Sequence, residues 1–136
     1  MDEKSAYSSV ARRAISSSVK LATAKLQESS AFHAYHAFES LGGELCVHYG
    51  QTYPRKHPEK IKRFLTLSRR SGNQRGVAEV AITLNSLDRN LMLYPRRLPT
   101  GAFEVPSNRL TVSDAKDLVR RVKGIRRVVS GITGTK

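Results

Sequence analysis

Tryptophan is absent from this 136-residue chain, cysteine occurs once, and aromatic residues make up only 7% of it. The single thiol, Cys46, excludes an internal disulfide framework, and its place on an apolar helical stripe predicts a buried structural side chain. No apolar run approaches the roughly 18 residues that a membrane-spanning helix needs. The first residues also lack the charged and then apolar pattern of a signal peptide. We therefore expect a cytoplasmic protein without a membrane partner.

Acidic residues are scarce as well, because 11 Asp and Glu oppose 24 Lys and Arg and leave a formal net charge of +13. Basic clusters bind phosphates by displacing condensed counterions, so RNA or another nucleic acid is the predicted partner. The predicted nucleic-acid-binding residues are Arg55, Lys56, His57, Lys60, Lys62, Arg63, Arg69, Arg70, Arg75, Arg96, Arg97, Arg120, Arg121 and Lys123. An acidic protein partner is the alternative, and a solvated basic surface would explain the charge without any ligand.

The motifs of common enzyme classes are also missing. The chain has no glycine-rich phosphate loop, no His-Glu-x-x-His pair, no paired cysteines and no nucleophile elbow. His33 and His36 are three residues apart and could share a helix face, but no third ligand is evident. We therefore predict no metal site and no cofactor, and conventional hydrolase chemistry is disfavoured.

What the sequence does contain is helical spacing of apolar residues, from end to end, with almost no strand signal. The predicted helices run from Ser5 to Gln27, from Ala31 to about Tyr49, from Pro58 to Ser68, from about Val77 to Tyr94, and onward from a cap at Thr111 or Ser113. The pattern predicts a single all-α domain over residues 1–136, an antiparallel helical bundle of four to five helices. We expect flexible ends at about residues 1–4 and 131–136.

Two adjacent glycines, Gly42 and Gly43, fall in the middle of the second predicted helix. Together they cost up to about 2 kcal/mol of helix propensity, so a compensating role is expected. We expect them either to let another backbone approach closely or to kink the helix.

A polar pair, Arg89 and Asn90, interrupts the apolar pattern late in the fourth predicted helix. Tyr94 follows five residues after the arginine, and Pro95 and Pro99 then end the predicted helix. Arginine and asparagine are costly on a core-facing surface unless their polar groups are paired. The stretch is therefore a candidate site.

The order of these features resembles the HEPN domain (higher eukaryotes and prokaryotes nucleotide-binding) over roughly residues 5 to 130. A helix spelling AFHAYHAFESLGG leads to a loop with His57, a later helix ends in Arg89-Asn90 and Tyr94-Pro95, and a Thr/Ser-capped helix follows. The resemblance implies a metal-independent ribonuclease site in which a histidine follows an arginine by a few residues. It also implies that two such motifs meet across a homodimer interface.

Carried over residue by residue, Arg89 and Asn90 match the first two motif positions, and Tyr94 stands where the histidine is expected. Tyrosine is a weaker general base near neutral pH than histidine, so this departure bears directly on cleavage. Arg89 could still stabilise phosphate charge, and Asn90 could orient it.

Several interpretations therefore stay open. The preferred one is a HEPN-like protein that binds nucleic acid, most simply RNA, in the toxin–antitoxin, stress or anti-phage setting that the family implies. The second is a metal-independent RNA endonuclease whose catalytic residues Arg89, Asn90 and Tyr94 form a composite site across a homodimer. The third is a small scaffold subunit of a larger protein or nucleoprotein complex. A purely structural polar network, fixing helix packing or a dimer seam, would also account for these three residues.

Overall fold

Five α-helices form the framework of residues 1–87 and 89–135, which the computed structural model describes, with the backbone alone at Leu91. They are α1 (Glu3–Thr23), α2 (Gln27–His48), α3 (His57–Ser71), α4 (Gln74–Leu87) and α5 (Val112–Thr133). The predicted all-α helical bundle is therefore confirmed. Asp88 and Lys136 lie outside the described residues. Within the described part of the chain, none of the helices combines the length and apolar character needed to cross a membrane.

The helix starts follow local capping chemistry. The Asp2 carboxylate accepts a hydrogen bond of 2.8 Å from the backbone N–H of Ser5 and caps α1. At α5, Thr111 and Asp114 form a reciprocal capping box, each side chain accepting from the other's backbone N–H at 3.0 Å. Thr111, rather than the alternative Ser113, is therefore the cap of α5. Such caps satisfy backbone N–H groups that a helix start otherwise leaves unpaired.

Helix α2 is the centre of the bundle, and it packs against α1, α3 and α5. Residues 37–46 are buried without interruption, so this helix is covered on every side rather than on one stripe. Its Phe38 ring meets Phe64 of α3 at 4.8 Å between ring centroids, which joins the two helices through the core. Two carboxylates, Glu39 and Glu44, are buried on the same helix. A helix buried all round forces both of these acids to find partners inside the protein.

The Gly42–Gly43 pair admits aromatic side chains, rather than the second backbone that the sequence led us to expect. A Cβ atom placed on Gly42 would lie 2.7 Å from Tyr53 Oη and 3.0 Å from the Phe64 ring. One placed on Gly43 would lie 2.6 Å from the Tyr7 ring. Helix α2 continues through both positions. Because they have no side chains, the two glycines leave room on α2 for these three aromatic side chains.

The predicted fourth helix is too long at its C-terminal end. Helix α4 ends at Leu87, and a separate 3-10 turn follows at Asn90–Met92, whose last side chain is buried in the core. The segment between the predicted fourth and fifth helices also contains a short antiparallel pairing, between β1 (Arg96–Arg97) and β2 (Phe103–Glu104). The helical periodicity missed the break because apolar residues recur on both sides of it.

Candidate nucleic-acid interface

An open cleft of about 280 Å³ lies where α2, the start of α3, the end of α4 and the following 3-10 turn meet. It is lined by Tyr35, His57, Pro58, Ile61, Leu84, Asn85, Arg89 and Asn90. The break after α4 positions Arg89 and Asn90 on its wall. Two of the three residues of the predicted motif therefore share a site with His57, which the sequence had placed among the nucleic-acid contacts.

Arg89 is held in the cleft by an aromatic face. The centre of its guanidinium lies 5.0 Å from the centroid of the Phe32 ring on α2. Such cation–π contacts are worth about 0.5–1 kcal/mol at partly exposed sites and fix the plane of the group. The Arg89 guanidinium makes no hydrogen bond or ion pair with the other described residues, so its N–H donors remain available for a ligand such as phosphate.

Tyr94 does not join this arrangement. Its side chain is 62% exposed and is not among the residues that line the cleft, although its backbone N–H donates to the Asn90 carbonyl at 3.0 Å. The structure therefore brings together Arg89 and Asn90 but leaves the Tyr94 side chain apart from them within one copy of the chain.

His57 is anchored to the cleft by a buried carboxylate. Its Nδ1 lies 2.5 Å from Oε2 of Glu39 on α2, whose side chain is only 6% exposed, whereas 42% of the histidine side chain is exposed. The ring edge of Tyr35 also meets His57, with 6.3 Å between ring centroids. The carboxylate can only accept, so the Nδ1–H of His57 donates to it. One buried acid thus fixes the orientation of a half-exposed imidazole.

The Glu39 backbone is fixed in turn by Tyr53. The Tyr53 hydroxyl donates to the Glu39 carbonyl at 2.5 Å. Burial raises the pKa of Tyr53 well above its usual range, so this hydroxyl stays protonated and remains a donor. The same hydroxyl lies against Gly42, and Lys60 Nζ lies 5.5 Å from the centroid of the Tyr53 ring. Tyr53 therefore links the central helix to the basic start of α3.

Further positive charge surrounds this end of α2. Partial burial lowers the pKa of His36, while nearby Glu39 raises it and His33, Arg89 and Lys60 lower it. Arg89 and Lys60 come from different segments of the chain, and the positive charge of each acts on His36. No carboxylate of the described residues lies within ion-pair distance of either cation.

The remaining predicted nucleic-acid-binding residues fall into three groups, which differ in whether the side chain has an ion pair, another contact or no ion pair. Four of them are partly neutralised by carboxylates: Arg75 by Glu79, Arg96 by Glu104, Arg120 by Asp117, and Arg121 by both Glu79 and Asp117. Arg63 donates to the Gln51 side chain at 2.8 Å, and Arg70 lies over the Tyr49 ring. Exposed cations with no ion pair to a described residue are Arg55, Lys56, Lys62, Arg69, Arg97 and Lys123.

The two basic clusters do not converge on one groove. Arg55 and Lys56 directly precede His57 and adjoin the cleft through the chain. Arg120 and Lys123, together with Lys116, instead line a separate groove between α1 and α5. Part of the α5 charge is offset by Asp117, because hydrogen bonds from Arg121 and Arg120 lower the pKa of this carboxyl group and keep it ionised. Around the start of α3, Arg55, Lys56, Lys60 and Lys62 have no ion pair to a described residue.

The site residue that the sequence did not reveal is Glu39. It belongs to the segment that carries the family resemblance, yet its pairing with a histidine 18 residues away was not predicted. Its signal was an acid between Phe38 and Leu41 on the most apolar helix, which requires a buried partner.

A metal centre is not indicated in the described part of the chain, where no three His, Cys, Asp or Glu side chains group closely enough to bind an ion. Comparison with protein-family models, with curated proteins and with solved structures gives no match to this chain. The HEPN resemblance therefore stays a prediction, and the chemistry of the cleft carries the functional argument.

Proposed function

We propose that this protein binds single-stranded nucleic acid, with RNA as the preferred ligand, and that the phosphate backbone enters the cleft beside Arg89. The observation that carries the proposal is the uneven pairing of charge. Arg89 and Lys60 have no carboxylate partner among the described residues, whereas Asp117 and Glu79 engage Arg120 and Arg121 of α5 and Arg75 of α4. Unpaired cations are the ones whose counterions a phosphate displaces.

The other walls of the cleft suit a nucleotide. The start of α3 adds the positive end of a helix dipole, which favours a phosphate nearby. Tyr35 offers an aromatic edge, and the exposed Asn85 offers an amide that can bond a ribose hydroxyl or a base. An opening of about 280 Å³ has room for one nucleotide of a single strand rather than for a duplex.

The test is the salt dependence of binding. A fluorescently labelled single-stranded RNA is titrated with the protein at several salt concentrations, and the slope of log K against log salt is measured by anisotropy. Replacing Arg55, Lys56 and Lys60 together by alanine should lower the magnitude of the slope by about 2, since each lost phosphate contact on a single strand contributes about 0.7.

A matched control removes the same charge from the other groove. The triple alanine variant of Lys116, Arg120 and Lys123 loses three cations as well, but we expect its slope to change by less than about 0.7, the value of one contact. If the two variants change the slope equally, binding depends on net charge in general and the cleft is not the binding site. If the affinity for RNA changes neither with salt nor in the first variant, the proposal is refuted. A stable acidic protein partner would then be the better explanation of the basic surface.

A further inference from the structure

We infer that Glu39 and His57 form an acid–base pair that cleaves an RNA strand bound beside Arg89, with the imidazole as the catalytic base. The inference rests on the proposed binding function, and it assigns chemistry to a histidine on α3 rather than to Tyr94. What motivates it is the 2.5 Å contact between a buried carboxylate and an imidazole that lines a cationic cleft.

The tautomer of His57 follows from that contact. Because Nδ1–H donates to Glu39, the neutral ring carries its lone pair on Nε2, and Nε2 makes no hydrogen bond to the described residues. The lone pair can therefore accept a proton from a bound substrate. When it does, the Glu39 carboxylate stabilises the imidazolium that forms and keeps the ring from turning. Glu39 is thus a positioning residue, since it acts through His57.

RNA suits these groups because the strand supplies its own nucleophile. His57 Nε2 takes the proton of a 2′-hydroxyl, and the 2′-oxygen forms a bond to the adjacent phosphorus. The bond from phosphorus to the 5′-oxygen breaks, its electron pair stays on that oxygen, and water protonates it. The imidazolium then returns its proton to the solvent. The products are a 2′,3′-cyclic phosphate and a 5′-hydroxyl end, and no water is consumed overall.

Arg89 has the complementary task of meeting the negative charge that develops on the phosphoryl oxygens during the attack. Its guanidinium is fixed on Phe32 and keeps its N–H donors available among the described residues, which is the arrangement that electrostatic stabilisation of a transition state requires. DNA of the same sequence should bind to the cleft and remain intact, because it has no 2′-hydroxyl to deprotonate.

The experiment uses a DNA strand that carries one ribonucleotide, labelled at one end, with an all-DNA strand as the uncleavable reference. Binding is measured on the all-DNA strand, and cleavage of the chimera is followed in excess chelator. At protein concentrations that saturate binding of the strand, His57→Ala should lower the cleavage rate by about 100-fold or more. Added imidazole should restore part of the lost rate, which a purely structural role of His57 would not allow.

Two further variants distinguish a role of Glu39 in orienting the His57 ring from a role in folding of the protein. Glu39→Gln should lower kcat by about tenfold or more with KM within about threefold, because the amide preserves the shape but not the charge. His48→Gln changes an exposed histidine at the far end of the same helix and should cleave like the wild type. Circular dichroism checks that each variant keeps its helix content.

The outcomes distinguish the two proposals. Wild-type protein that binds neither of these strands nor the labelled single-stranded RNA overturns the proposed function and the cleavage chemistry together. Wild-type protein that binds both strands but leaves the ribonucleotide intact overturns the chemistry alone. Three results would each contradict the role of His57 as the base. In the first, His57→Ala cleaves at the full rate. In the second, Tyr94→Phe loses cleavage while His57→Ala still cleaves, and in the third the chelator abolishes cleavage.

Discussion

Replacing Gly43 with alanine tests the packing that holds the central helix in place. The added Cβ atom would lie 2.6 Å from one carbon of the Tyr7 ring and 2.7 Å from the next. Carbon atoms in good contact are about 3.5–4.0 Å apart, so the ring or α2 must move by about 1 Å. Overpacking of this kind costs about 1–3 kcal/mol, while exchanging glycine for alanine inside a helix gains up to about 1 kcal/mol. We expect a net loss of about 1–2 kcal/mol.

The assay is urea unfolding followed by circular dichroism, with Gly124→Ala as the matched control. Gly124 lies inside α5, and a Cβ atom there would meet nothing within 4 Å. That variant should therefore gain about 0.5–1 kcal/mol in the free energy of unfolding. In a Tyr7→Leu background, where the clashing ring is gone, Gly43→Ala should become neutral or stabilising. If Gly43→Ala is as stable as Gly124→Ala in the wild-type background, Tyr7 does not pack on this glycine.

Other parts of the chain give two further predictions. Thr111→Ala should lower the free energy of unfolding by about 1 kcal/mol, because it removes the side chain that caps α5, whereas Ser113→Ala should change it by less than about 0.5 kcal/mol. Burial raises the pKa of the Cys46 thiol, so less thiolate is present at any given pH in the folded protein. A disulfide reagent at mildly alkaline pH should therefore react with Cys46 at least about tenfold faster in urea than in buffer, and equal rates would contradict its burial.

Helical periodicity was sufficient to predict most of the fold. Apolar residues recur at helical spacing along α1, α2, α3 and α5, and cap residues precede two of these helices. It failed after Leu87, because the chain leaves α4 and re-enters the core through a short 3-10 turn that ends at the buried Met92. A change of helix type that leaves the apolar composition unchanged produces no break in the sequence pattern.

The candidate site was predictable only in part, because its residues come from distant segments. Arg89 and Asn90 stood out in the sequence as polar residues within an apolar pattern, and His57 stood out in a basic loop. Their meeting in one cleft depends on how α3 packs against α2, which no local pattern specifies. Glu39 was missed for a different reason, since a single acid on a helix is ordinarily solvated. It became significant only when α2 proved to be buried all round.

The central claim is that nucleic acid binds in the cleft beside Arg89, and chemical-shift mapping by NMR tests it most directly. At 15.1 kDa the labelled protein is small enough for amide shifts to be followed while single-stranded RNA is added. Uncleavable RNA with 2′-fluoro sugars avoids turnover during the titration. We predict that the largest shifts fall on residues 55–61 and 84–90, and that Arg89→Ala weakens the response there. The largest shifts on residues 116–123, with the cleft unchanged, would contradict this account.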